Sequence, residues 1–184
     1  MSSVIPAREP SWHDAQQYAW QLPRLLAPWL LDQGSLTARL IEHSQQQFSV
    51  QLLRQDWGQA FTGEYRLLQS PLRQKMLVRE VILQGAGQPW VYARSLVPIT
   101  SLQGRLKALK HLDNRPLGAL LFQDPSMQRG PIQVAQLQPA HNYLPPDVTT
   151  EPGSPLWGRR SVFYLDEQPL MVSEVFLPQF LSTL

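Results

Sequence analysis

An α+β fold, one domain built on a six-stranded antiparallel sheet with helices packed on it, is what three features of the sequence predict. Apolar runs alternating at period two are joined by short turns, as in hairpins. Segments of helical period are confined to the N-terminal third and to one stretch between the third and fourth strands. The length, 184 residues, suits a single core, so residues 1–184 are expected to form one domain. Hydrophobic residues make up 43% and charged residues only 16%, the balance of a globular chain rather than a disordered one.

Residues 1–22 carry Pro6, Pro10, Trp12, Tyr18 and Trp20 without a period and read as an arm laid over the body. In Pro23–Leu31, Leu25, Leu26, Trp29 and Leu30 mark a short amphipathic helix interrupted by Pro28. Asp32-Gln33-Gly34 ends that element, Ser35 caps the next, and Leu36, Leu40 and Ile41 continue at helical spacing to about His43. From Phe48 the period becomes two, giving a strand to about Asp56, followed by a connection of unassigned form over 57–70. The clearest hairpin comes next: 75–83 extended, Gly85-Ala86-Gly87 turning, 90–97 returning. Its first strand places Leu77, Arg79, Val81 and Leu83 on one face and Met76, Val78, Glu80 and Ile82 on the other, so one of the two charges must point inward. The return strand groups Trp90, Tyr92, Arg94 and Leu96.

Leu102, Leu106 and Leu109 predict a helix with Arg105, Lys107 and Lys110 on its wet side. A second helix start follows in DNRPLGALLF, where Asp113 or Asn114 can cap and Pro116 suits the first turn. A strand is expected over 131–137, a Pro-rich loop over 139–155, a strand over 159–165 and a turn at Asp166-Glu167-Gln168. The closing run, PLMVSEVFLP at 169–178, puts Glu174 on the same face as Leu170, Val172 and Phe176. A carboxylate there needs a partner, because an unpaired buried charge costs about 3–5 kcal/mol.

Several chemistries are excluded. Without cysteine there is no disulfide, thiol catalysis or cysteine-ligated metal, and the four histidines lie far apart without metal-ligand spacing, so no metal is expected. The net charge is +2 and the basic residues are scattered, against the basic stripe of a nucleic-acid binder. The N-terminus has no apolar leader and no run reaches the roughly 18 residues of a membrane span, so a cytoplasmic protein is expected. No P-loop, dinucleotide fingerprint or serine elbow occurs.

What remains is three charges on apolar strand faces, Arg79, Arg94 and Glu174. They read equally as an Arg–Glu ion pair across the sheet or as the polar groups of an apolar pocket for a small carboxylated ligand, with Arg79 forking onto the carboxylate and Glu174 handling a proton or hydroxyl. The helix starts near Leu36 and Leu117 offer free amides to an anion.

Five motifs carry a resemblance over about 25–178: LVREVIL at 77–83, GQPWVYARSLVP at 87–98, NRPLGALLF at 114–122, LWGRRSVF at 156–163 and PLMVSEVFLP at 169–178. In order and spacing they resemble the chorismate pyruvate-lyase family. The resemblance implies a cofactor-free carbon–oxygen lyase of ubiquinone biosynthesis, turning chorismate into 4-hydroxybenzoate and pyruvate, with its product site buried beneath flaps; a monomer is expected. Carried over, Arg79 binds the ring carboxylate, helped by the main chain of Leu36 and Leu117, and Glu174 meets the ring hydroxyl. What the substrate needs, and not the resemblance, makes Arg94 a secondary candidate for the enolpyruvyl carboxylate. The family usually has methionine where this chain has Leu36. The same fold also serves as an effector-binding domain of transcription regulators, so a non-catalytic sensor of aromatic acids is the alternative reading.

Overall fold

The computed structural model describes residues 8–138, 141–146, 148 and 155–184. The first seven residues of the expected arm and most of the Pro-rich loop expected over 139–155 lie outside them. The elements run β1 (His13–Asp14), α1 (Ala15–Tyr18), a 3₁₀ turn (Ala19–Gln21), α2 (Ala27–Leu30), α3 (Leu36–His43), β2 (Phe48–Gly58), α4 (Thr62–Leu67), β3 (Met76–Gly85) and β4 (Gln88–Pro98). Two 3₁₀ segments (Ile99–Ser101 and Gly104–His111) lead to α5 (Leu117–Gln123), β5 (Gln128–Arg129), β6 (Gln133–Leu137), β7 (Leu156–Leu165), β8 (Gln168–Phe176) and α6 (Pro178–Leu181).

All the strand pairings are antiparallel, in the order β1-β6-β7-β8-β4-β3-β2, with β5 pairing β7. The sheet has eight strands rather than the expected six. The two additions, β1 and β5, are two residues long and too short to carry a period. Ser35 caps α3 as expected, its Oγ accepting from the Ala38 amide at 3.3 Å. α5 starts without a side-chain cap, and the segment carrying Leu106 and Leu109 is a 3₁₀ helix.

Both faces of the sheet are covered, so Arg79 and Glu80, on opposite faces, are both drawn in from solvent. One face carries two apolar clusters. The first joins Leu30, Leu40, Val81, Val91 and Phe176 under α2 and α3; the second joins Leu77, Leu106, Leu121, Phe163 and Leu170 under the 3₁₀ helix and α5. The other face is closed by α4, whose Tyr65 packs with Met76, Leu96 and Met171, and by Tyr143 against Ile82, Tyr92 and Val175. The connection left unassigned over 57–70 thus holds a helix, and helices lie on both sides.

The first hairpin turns on two residues, Ala86 and Gly87, both at positive φ, with Gly85 paired to Gln88. The register slips between Leu83 and Gln84, a bulge in β4 that lets Trp90 join Val91 in the first cluster instead of lying with Tyr92 and Arg94. Trp90 then packs with tilted and edge-on geometry against His43 and Phe180, the latter delivered by α6.

Gly85 makes room for that ring: a Cβ there would stand 2.2 Å from Trp90. Since His43 and Phe180 block the ring's retreat, Gly85→Ala should destabilise the fold by about 1–3 kcal/mol. The measurement is urea unfolding, where the midpoint should fall with the slope unchanged.

Candidate active site

Between the two clusters on the α3/α5 face lies a small, partly enclosed cavity. Its floor follows from the register. Arg79 on β3 pairs with Ser95 on β4, which pairs with Val172 on β8; one row along, Val81, Ala93, Glu174 and Arg159 lie in line across β3, β4, β8 and β7. Two strand steps of about 4.8 Å and one two-residue step of about 6.8 Å separate the backbones of Arg79 and Glu174 by roughly 12 Å. Small side chains, Ala93 and Ser95, occupy the floor between them. The roof is the first turns of α3 and α5, which meet where Gly118 faces Thr37; a Cβ at Gly118 would come 2.7 Å from the Thr37 hydroxyl.

Leu36, Arg79, Leu117 and Glu174 all line this cavity. Arg79 and Glu174 are not paired with each other. Arg79, 4% exposed, is steered by its Nη2, which donates to the carbonyls of Asp113 at 2.8 Å and Arg115 at 2.9 Å, just ahead of α5. Its Nε is buried with no partner among the described residues. Burial pushes the guanidinium below its ordinary value while Asp113 opposes the shift. Arg79 lines the cavity, and a buried donor without a partner is what an anionic ligand satisfies.

Arg94 falls outside the cavity. Its neighbours Ala93 and Ser95 point into it, so Arg94 projects from the opposite face and pairs with Glu64 of α4, with Glu80 at 3.6 Å. Burial raises the Glu64 carboxyl, against the pull of Arg94. Arg94 therefore belongs to a buried polar group behind the sheet.

Two lining arginines escaped the sequence reading, Arg129 and Arg159. Arg159, 1% exposed, donates through Nε to Glu174 Oε2 at 2.6 Å and through Nη1 to the carbonyls of Trp29 and Asp32, both at 2.8 Å. Glu174 thus has its partner across the sheet, in Arg159. The β7–β8 hairpin contained that information: it turns on two residues, Asp166 and Glu167, both at positive φ, and with Leu165 opposite Gln168 the register carries Arg159 to Glu174. A three-residue turn, as expected from the sequence, hides the pairing. Arg129 donates to Ser161 Oγ and to the carbonyls of Asp32 and Gln33 at 3.0–3.2 Å. Burial and the Arg159 charge lower it to about 10, against Glu174 and Asp32.

Three lining arginines face one glutamate, so the cavity presents an excess of positive charge in an apolar enclosure. An antiparallel α+β fold with such an interior defines a binder of a small organic anion. The chain belongs to the chorismate lyase family, whose model matches residues 7–183. It is 42% identical over 157 residues to a protein of Methylobacillus flagellatus, covering 84% of this chain and 88% of that one, and 40% identical over 167 residues to one of Pseudomonas aeruginosa, covering 91% and 90%. Both relatives are named "probable chorismate pyruvate-lyase". Among solved structures, the ligand-binding domain of a GntR-family regulator from Bordetella bronchiseptica aligns with a TM-score of 0.52 at 17% identity, over 71% of this chain and 83% of that one. PhnF from Mycobacterium smegmatis aligns at 0.54 and 15%, over 81% and 66%. At these identities the likeness is one of fold.

The Arg159–Glu174 pair generates a test. Removing one partner leaves a buried charge uncompensated, so Arg159→Met should cost about 3–5 kcal/mol. Arg159→Met with Glu174→Leu removes both charges and should cost less than Arg159→Met alone. Chemical denaturation of the parent protein, both single variants and the double variant as a mutant cycle checks this; a double variant less stable than Arg159→Met would show that the pair is not what holds the strands.

Proposed function

We propose that the chain is a chorismate pyruvate-lyase, forming 4-hydroxybenzoate, the aromatic precursor of ubiquinone, and pyruvate without a cofactor. The observation that carries this is the charge arrangement of the cavity: an unpartnered guanidinium donor at one end, and a carboxylate flanked by two more arginines at the other. A dicarboxylate whose ring bears its hydroxyl opposite one carboxylate complements that pattern. Membership of the lyase family, with relatives near 40% identity over most of the chain, supports the same assignment.

In this reading Arg79 holds the ring carboxylate, helped by the main chain of Leu36 and Leu117 at the starts of α3 and α5. Glu174 takes the C4 hydroxyl with the acceptor capacity that Arg159 leaves it. The reaction breaks the C3–O bond, moves the C4 hydrogen to the enolpyruvyl methylene and leaves the ring aromatic, so atoms balance with no added reagent. Aromatisation supplies the driving force and the enzyme supplies orientation. A carboxylate accepting from Arg159 would forfeit that pair on taking a proton, so Glu174 acts as the group that positions the ring. The acting protein is a monomer in the cytoplasm; among the described residues no helix is long and apolar enough to cross a membrane.

Pyruvate release from chorismate, followed through lactate dehydrogenase, tests the assignment; an aromatic-acid sensor would bind without releasing pyruvate. Arg79→Ala should weaken 4-hydroxybenzoate binding by about 10- to 100-fold, the share of one charge-assisted contact, and an unchanged affinity would remove Arg79 from the site. Glu174→Gln keeps a hydrogen-bond acceptor, so its single-turnover rate should stay within about tenfold of the parent protein, since removing a true general base costs on the order of 100-fold or more.

A further inference from the structure

Five arginines of the described chain, Arg39, Arg94, Arg105, Arg159 and Arg160, have a carboxylate within ion-pair distance. Of the three that line the cavity only Arg159 is among them. Arg79 and Arg129 make their described hydrogen bonds to carbonyl and hydroxyl oxygens, which orient a guanidinium without neutralising it. Two lining cations without a carboxylate thus stand in one enclosure, and the substrate of the proposed reaction carries two carboxylates, of which 4-hydroxybenzoate keeps one and pyruvate takes the other.

The sheet places them apart. Arg79 springs from β3. The Arg129 guanidinium sits over β7, bonded to Ser161 Oγ at 3.1 Å and lying 5.0 Å above the Phe163 ring, three strand steps away across β4 and β8. Arg129 and Arg159 both donate to the Asp32 carbonyl, at 3.2 and 2.8 Å, and Arg159 pairs with Glu174, so Arg129 stands at the Glu174 end. With the ring carboxylate on Arg79 and the C4 oxygen on Glu174, the C3 ether is adjacent to Glu174. Its carboxyvinyl arm therefore extends into the part of the cavity that Arg129 and Arg159 border. An anion there also relieves the repulsion between these two cations, which the single carboxylate of Glu174 does not fully offset.

We propose that Arg129 binds the enolpyruvyl carboxylate and is the residue by which the site separates substrate from product. The assignment rests on the lyase reading above. Arg79 and Glu174 serve both chorismate and 4-hydroxybenzoate, whereas Arg129 meets the carboxylate that departs with pyruvate. Its loss should fall on chorismate and spare 4-hydroxybenzoate.

The test compares the parent protein with Arg129→Met and Arg129→Lys, using chorismate turnover, 4-hydroxybenzoate affinity, and affinity for the unreactive ether dicarboxylate 3-(carboxymethoxy)-4-hydroxybenzoate. Arg129→Met should lower kcat/KM for chorismate by about 10- to 100-fold, as expected for a charge-assisted contact, and shift 4-hydroxybenzoate affinity by less than about threefold. Arg129→Lys should recover part of the loss. Because Arg129 also braces the carbonyls of residues 32–34, its removal could loosen the roof as a whole. The decisive reading is therefore the ratio of ether-dicarboxylate to 4-hydroxybenzoate affinity within each protein, in which a general loosening cancels. A ratio unchanged by Arg129→Met, or equal losses for both ligands, overturns the proposal. Failure of the parent protein to release pyruvate overturns the lyase reading instead, and the affinity ratio still reports on Arg129.

Discussion

The architecture of the cavity depends on the cross-strand pair of Arg159 and Glu174. A guanidinium 1% exposed must have its donors met, and they are met from three directions: the carboxylate on β8 and the carbonyls of Trp29 and Asp32. The same contacts tie β7 and β8 to the segment that leads into α3, so the first turn of α3 is set over the sheet by an electrostatic requirement as well as by Leu36 and Leu40 packing. A buried ion pair roughly breaks even against an apolar replacement of the same volume. Its consequence here is placement: a carboxylate paired and aimed inside an apolar enclosure, where a lone Glu174 would be costly.

Burial on both faces of the sheet lets the molecule sort its charges. Consecutive residues of a strand point oppositely, so Arg159 enters the cavity while Arg160 reaches Glu9 and Gln133 behind it. Likewise Arg79 faces the cavity and Glu80 the group around Arg94 and Glu64. The rear group is closed on itself by carboxylates. The front group is left with more cations than anions, and that difference makes one face a structural network and the other a site.

The elements legible in the sequence were those whose signal is local. The Ser35 cap, the faces of β3 and β8, and the position of Glu174 beside Val172 and Phe176 all follow from period and capping chemistry. Trp90 was misplaced because a bulge adds a residue without changing composition. α4 was missed because it spans only Thr62–Leu67 and begins with Thr62-Gly63, poor helix formers kept in place by Glu9 accepting from the Gly63 amide. Arg129 and Arg159 depend on register and on a two-residue strand, which are tertiary facts. Only the Arg159–Glu174 register was recoverable, from a turn of two residues rather than three.

That the interior stays open follows from the same charges. Apolar side chains would otherwise close the gap between the two clusters of the α3/α5 face, since interiors pack to the density of organic crystals. Three guanidinium groups cannot be covered that way: each needs oxygen partners in its plane, and their mutual repulsion keeps them apart. The carbonyls ahead of α3 and α5 take some of those donors and thereby fix the height of the roof above Ala93 and Ser95. At Gly118 the helices already touch Thr37, so the roof cannot descend further. The cavity is the space enclosed when buried cations are solvated by backbone oxygens at its rim, with small residues on its floor and the Arg79 Nε without a partner among the described residues.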